Sequence, residues 1–258
     1  MIDKSVRAEI LRRISNAEKE HNVKVLYAVE SGSRAWGFES PNSDYDVRFI
    51  YTHVKDWYLS VDLEQKRDVI EYEIVDEIDI NGWDIRKALQ LYSKSNPTFV
   101  EWLQSPIVYV DDNLFAKHAR QLMKTVYSVE KGIYHYRSMA NTNYRTYLKA
   151  DVVPLKKYFY VLRPLLAVKW LEKYQTPAPI EFETLRSLIP KNSALDKEIE
   201  LLLDKKRKSL EKEFIPKVPE LNAFIESELT RLEQFKGKTK ANNLDFELLN
   251  TLFRMSLD

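Results

Sequence analysis

Apolar residues recur at helical spacing over the first twenty positions. Ile2, Val6, Ile10, Ile14 and Ala17 form one stripe with charges between them, which predicts an amphipathic helix over residues 3–21. The pattern then changes. VKVLYAV (23–29) is β-branched and aromatic and predicts a strand. DYDVRFIYT (44–52) predicts a second strand, in which period two sends Tyr45, Val47, Phe49 and Tyr51 to one face and Asp44, Asp46 and Arg48 to the other. DVIEYEI (68–74) and the short EIDI (77–80) supply a third and a fourth. From residue 84 the spacing turns helical: Ile85, Ala88, Leu89 and Tyr92 fall at i, i+3, i+4 and i+7. Asn96-Pro97 ends that helix and starts TFVEWL, and Ser105-Pro106 interrupts again. A long helical region follows over 113–148, then a strong helix over 156–174 with a kink expected at Pro164. Shorter helices are expected at 182–188, 195–213, 218–235 and 245–256. The aromatic residues Trp83, Tyr92, Trp102 and Tyr109 are expected in the core. This order of elements predicts an α+β protein: a small mixed-sheet domain over residues 1–110, followed by an all-helical domain over 111–258.

Composition narrows the class. Of 258 residues 44% are hydrophobic and 31% charged, the balance of a soluble globular chain. No apolar run approaches the roughly 18 residues of a membrane span, so no membrane partner is expected. The N-terminus MIDKSVRAEILRR lacks the apolar core of a secretory signal, and a cytoplasmic location is expected. The absence of cysteine excludes disulfides, thiolate metal sites and a cysteine nucleophile. A formal charge of +1 offers no bulk electrostatic argument for wrapping nucleic acid. Glycine occurs only 5 times, and two of those fall within GSRAWGFESPNSDYDV, where a backbone need is the natural explanation.

That stretch carries the candidate chemistry. A strand leading into Gly32-Ser33 lets the backbone approach a phosphate closely, with the serine hydroxyl and N–H as donors. Asp44 and Asp46, two apart on a strand, point to the same side; adjacent carboxylates repel unless a cation lies between them, and magnesium suits such a pair. Asp79, flanked by Ile78 and Ile80, is the candidate third carboxylate. Asp84 competes for that role, but it stands where a helix begins and reads equally as an N-cap; Asp76 and Glu77 are outsiders. Arg34 reads either as a phosphate ligand or as a buttress of its loop. Arg48 shares the aspartate face and reads as a salt-bridge partner. Lys156, Tyr160 and Arg163 share one helix face, which reads either as solvated or as a source of cations for a ligand. His135, Tyr136 and Arg137 form a polar-aromatic cluster, while Lys87 and Asn96 are explained by helix surface and helix start.

These residues resemble the DNA polymerase beta-like nucleotidyltransferase superfamily, whose signature is an apolar strand ending in Gly-Ser, then Asp-x-Asp, then an acidic residue in an apolar-Asp-apolar strand. The chain is more closely similar to a bacterial and phage group described as RNA-ligase-associated predicted nucleotidyltransferases. That likeness rests on SGSRAWGFESPNSDYDVRF, GWDIRKALQLYSKSNPTFVEWLQSPIVY, HYRSMA and KKYFYVLRPLLA, within residues 20–170. The resemblance implies transfer of a nucleoside monophosphate from a nucleoside triphosphate, ATP being the expected donor by abundance, to a hydroxyl acceptor. It implies that Gly32 and Ser33 hold the β- and γ-phosphates, with Arg34, Lys156 and Arg163 as further triphosphate contacts. It implies two Mg2+ ions on Asp44 and Asp46, with Asp79 on the ion nearest the attacking hydroxyl. The group's description adds an RNA end as an acceptor class. Two rivals stand beside this expectation: a nucleotide-binding module without turnover, and an AMPylating enzyme whose acceptor is a protein side chain.

Overall fold

Helix α1 (Lys4–His21) starts at Asp3, whose carboxylate accepts from the Ser5 N–H at 2.8 Å. Its Ile10, Ile14 and Ala17 stripe is buried as the spacing predicts. The computed structural model describes residues 2–210, 212–237 and 246–257. After α1 come β1 (Lys24–Glu30), a short helix α2 (Gly32–Trp36), β2 (Tyr45–Thr52), α3 (Lys55–Tyr58), β3 (Val69–Glu71) and β4 (Ile78–Asp84). Next are α4 (Ile85–Ser93), α5 (Pro97–Leu103), β5 (Val108–Asp111) and α6 (Phe115–Val126). The chain then runs through α7 (Val129–Tyr147), β6 (Val152–Pro154), α8 (Leu155–Tyr174), α9 (Phe182–Arg186) and α10 (Ala194–Lys208). It ends with β7 (Phe214–Pro216), α11 (Pro219–Glu233) and α12 (Phe246–Met255).

Five strands form one mixed sheet in the order β3-β4-β2-β1-β5, in which β2 and β4 are parallel and every other pair is antiparallel. A parallel pair needs a crossover, supplied here by α3, β3 and their loops. Alternation then sorts the faces. Val47, Phe49, Tyr51, Ile78 and Ile80 turn toward the α1 stripe. Ile50, Leu26 and Val29 turn the other way, into a cluster with Ile85, Phe99, Phe115 and Leu249. Gly82 is required inside β4, because a Cβ there would lie 2.2 Å from Cε2 of the Phe49 ring. β4 runs four residues beyond the expected EIDI strand, β3 is shorter than expected, and β5 lies where no strand is expected.

Two compact units result. The first contains Met1–Ala35, Asp44–Tyr127 and Asn243–Asp258; the second contains Trp36–Ser43 and Ser128–Asn242. The structure thus replaces the single expected boundary at 110 with a division that the chain crosses at four points. Two local causes are visible. The helical region 113–148 breaks at Tyr127, and Ser128 caps α7 by accepting from the Lys131 N–H at 3.3 Å. Within the second unit, Phe38 stacks on Phe159 with ring centroids 4.6 Å apart and meets Phe182 edge-on at 5.4 Å. The Ser40 hydroxyl there donates to the Lys206 carbonyl at 2.9 Å and accepts from the Lys206 ammonium at 2.7 Å. This unit is helical, as expected, apart from a two-stranded antiparallel ladder of β6 and β7. Pro164 lies inside α8. Among the described residues, no helix is long and apolar enough to cross a membrane.

One titratable group in the first unit makes a test of this packing. The His53 ring stacks on Trp57 at 3.8 Å, and Lys66 lies over the same indole at 4.2 Å. Burial first, and the Lys66 charge second, lower the His53 pKa from 6.5 to about 4. The folded state therefore favours the neutral ring, and the stability this provides is present above pH 6.5 and is lost as pH falls through 4. Urea unfolding between those limits is expected to show a shallower pH dependence for His53→Gln than for the wild type.

Candidate active site

The parallel pairing of β2 and β4 sets Asp46 directly beside Asp79, and Arg48 beside Asn81 in the next outward-facing row. All four side chains leave the sheet on the face away from α1. Arg48 ties the rows together. Its Nη2 donates to Asp46 Oδ1 at 3.1 Å and to Asp79 Oδ2 at 2.7 Å, while Nη1 donates to the carbonyls of Val47 at 2.9 Å and Asp79 at 2.8 Å. Asn81 Nδ2 donates to the other Asp79 oxygen, Oδ1, at 2.6 Å. The expected salt-bridge role of Arg48 is what the geometry displays.

Asp46 is braced on two further sides. Its carbonyl accepts from the Ser31 N–H at 2.8 Å, and its own N–H donates to Glu30 Oε1 at 2.9 Å. Glu30 is fully buried at the end of β1, and its second oxygen accepts from the Tyr109 hydroxyl at 2.5 Å. Burial raises the Glu30 pKa to about 7, against the lowering effect of the Tyr109 hydroxyl and the Asp46 N–H. Gly32 stands at φ +60°, in the left-handed region, and a Cβ on it would fall 1.9 Å from Asp46 Oδ2. Glycine is needed here both for the backbone turn into α2 and for the space the carboxylate occupies. Ser33 follows it within α2, half-buried.

The remaining expected residues are placed as follows. Asp44 is exposed and lies one residue before β2, so it does not share the strand geometry expected of it. Among the described residues, no group of three or more His, Asp or Glu side chains stands close enough to hold one ion. Arg34 lies over the Tyr45 ring at 3.9 Å and donates through Nε to the Asp44 carbonyl at 3.2 Å, the geometry of a loop buttress. Asp84 is the N-cap of α4: it accepts from the Arg86 N–H at 2.7 Å and from the Tyr58 hydroxyl at 2.7 Å, and is buried. Asp76 pairs with Arg13 at 2.9 Å. Asn96 caps α5, and Lys87 pairs with Asp68 at 3.0 Å. In the second unit Lys156 is half-buried in the first turn of α8. Arg163, expected as a triphosphate contact, lies in α8. It is 3% exposed, its guanidinium lies 4.3 Å from the Trp36 ring, and its Nε donates to the Ile180 carbonyl at 3.5 Å. Tyr136 is buried in α7.

Glu30, Asn81 and Tyr109 were not picked out as site residues from sequence. Glu30 had a signal, a carboxylate closing an apolar strand; Asn81 and Tyr109 had none, because only strand register brings them to the acids. Cavity size is a poor guide here. A groove of about 530 Å³, lined by Arg12, Arg13, Asn16, Tyr72 and Ile80 among others, lies on the α1 side of the sheet, away from Asp46 and Asp79. The carboxylate pair has the chemistry, and it is the candidate site.

Comparison with known proteins gives the family. The chain belongs to the RNA repair pathway DNA polymerase beta family, whose model matches residues 6–255. A Bacillus subtilis (strain 168) protein, the uncharacterized YcgL, is 43% identical over 253 residues and is covered over 96% of its length, as is this chain. A solved nucleotidyltransferase-like protein from Exiguobacterium sibiricum 255-15 aligns with 91% of this chain and 83% of that one, at 13% identity and a TM-score of 0.29.

Gly32→Ala is expected to displace Asp46 and lower turnover by about 100-fold, the scale of an ångström-level misplacement, with circular dichroism unchanged. Steady-state kinetics of the folded variant check this.

Proposed function

We propose that this protein is a magnesium-dependent nucleotidyltransferase that moves a nucleoside monophosphate from a nucleoside triphosphate, ATP being the first choice, to a hydroxyl at an RNA end. The observation that carries the reading is the Asp46–Asp79 pair, set side by side by the β2–β4 register and holding a single cationic nitrogen between them. Two carboxylates that already accommodate the Arg48 cation are a donor set of the right kind for a divalent ion. Asp46 and Asp79 would hold the metal, with exposed Asp44 as an additional ligand at the head of β2. Bound metal would supply Lewis-acid stabilisation of charge at the transferred phosphoryl group.

The chain's own residues do the positioning. Glu30 and Ser31 fix the backbone of Asp46 on both sides. Gly32 leaves the Asp46 carboxylate room, and Ser33 offers a hydroxyl and an N–H for phosphate oxygens beside it. Asp79, its orientation set by Arg48 and Asn81, is the candidate to receive the acceptor's hydroxyl proton.

The RNA acceptor draws on the family's description, RNA repair pathway, and on the charge of the second unit. Between Lys131 and Lys157 the chain has six Lys or Arg residues against one acid, Asp151, although the whole protein carries only +1. Tyr147, 39% exposed, stands there with the Lys157 ammonium 3.9 Å from its ring. Cations interleaved with accessible aromatic faces suit single-stranded RNA, whose bases stack while its phosphates are neutralised. A cytoplasmic location, where triphosphates and magnesium are plentiful, completes the reading.

A second reading, a binding module without turnover, draws on the same Arg48 bridge, since a pair neutralised by the protein has no obligate need of metal. Label transfer decides between them. Purified protein incubated with each α-labelled triphosphate, magnesium, and RNA, small-molecule or protein acceptors is expected to label RNA. Asp46→Asn and Asp79→Asn are expected to abolish that labelling while leaving the melting temperature close to wild type. Wild-type protein that binds triphosphate and labels none of the acceptors would favour the second reading; labelled protein would point to AMPylation. Separately, the double variant Tyr147→Ala/Lys157→Ala is expected to weaken single-stranded RNA binding by about tenfold or more, at unchanged triphosphate affinity, in fluorescence anisotropy at fixed salt.

A further inference from the structure

We propose that Arg48 is a resident cation of the carboxylate pair: it holds Asp46 and Asp79 together before a divalent ion arrives, and it lowers the affinity with which that ion binds. The inference rests on the metal-site reading above and adds to it a residue that sets the strength of the site.

The placement follows from the strands. Arg48 lies two residues beyond Asp46 on β2, so its side chain leaves the same face, and its partner across the register is Asn81. Its guanidinium is fixed from below by two main-chain carbonyls, through Nη1, and reaches up to both acids through Nη2. A planar fork with several donors at set angles can satisfy these four acceptors together; an ammonium on a flexible stem cannot hold that pattern. The group is largely shielded, with side-chain exposures of 18% for Arg48, 29% for Asp46 and 21% for Asp79, so water screens the three charges only partly.

Two consequences follow. Without Arg48, the aspartates would face each other as like charges across adjacent strands, and their repulsion would push the facing oxygens apart. With it, the oxygens point toward a common centre, but a positive charge stands beside any ion that enters. Of the two contacts through Nη2, that to Asp46 is longer, at 3.1 Å against 2.7 Å, and is the contact an incoming ion would loosen first. The Nη1 contacts to Val47 and Asp79 would keep the arginine at its post while this happens. Arg48 is therefore a positioning residue with two opposed effects: it orients the ligands and it weakens the ion they hold.

The test separates these effects by measuring metal binding directly. Mn2+ is titrated into wild type, Arg48→Gln, Arg48→Lys and Asp46→Asn, with free ion followed by electron paramagnetic resonance and folding by thermal melting. Loss of the charge in Arg48→Gln is expected to tighten Mn2+ binding by about tenfold. The same variant, at saturating metal, is expected to turn over more slowly. Arg48→Lys is expected to bind Mn2+ near the wild-type strength, because the charge remains. Mn2+ binding to folded Arg48→Gln that equals or falls below wild type would overturn the inference while leaving the metal site itself standing. If wild type and Asp46→Asn bind Mn2+ equally, the metal-site reading fails and the inference falls with it. Should Arg48→Gln not fold, the wild type still provides a test. The guanidinium Nε–H resonance of Arg48, assigned by its loss in Arg48→Lys, is expected to shift during Mg2+ titration, and a signal that stays still at saturation overturns the inference.

Discussion

The structure turns on the repulsion between two carboxylates. Asp46 and Asp79 belong to strands that run parallel and in register, so their Cα atoms are partners and both side chains leave the same face. Such a pair is unfavourable unless positive charge lies between its members. Arg48 provides that charge from the next row of the sheet, anchored by main-chain carbonyls on both strands. The same arrangement that makes the pair tolerable in the folded chain also gives it the character of a cation site.

Around Asp46 the first unit is built with little slack. Glu30 takes its N–H, Ser31 takes its carbonyl, and Gly32 presses against its carboxylate. Glu30 is buried with Tyr109 as its second partner, and burial carries its pKa up to about 7. A buried carboxylate with both oxygens engaged costs less than a bare one, because each oxygen that loses water gains one protein donor. The segment that turns from β1 into α2 is thus held by polar contacts that leave Asp46 one place to be.

The stretch GSRAWGFESPNSDYDV divides its labour between the two units. Gly32 and Asp46 form part of the carboxylate site, whereas Trp36, Phe38 and Ser40 belong to the packing of the helical unit, against Arg163, Phe159 and Lys206. A motif that reads as one chemical signature is physically a site with an anchor in its middle. The buried Arg163 lies over Trp36 and donates to the Ile180 carbonyl within that same unit.

By itself the sequence determined whatever depends on local periodicity and local backbone demand. Alternation along DYDVRFIYT put Asp46 and Arg48 on one face and Val47, Phe49 and Tyr51 on the other, since side-chain direction in a strand is decided residue by residue. The stripe Ile10, Ile14 and Ala17 determined the buried face of α1 for the same reason. The start of α4 at Asp84 was also legible, because an N-cap is a local hydrogen bond. The tertiary structure alone decided which residue of β4 would face Asp46, that Glu30 and Tyr109 would meet beneath it, and that residues 36–43 would join the helical unit. Strand register and the fate of Phe38 are settled by pairing and packing between segments distant in the chain. No period along one segment encodes the partner that another segment will present.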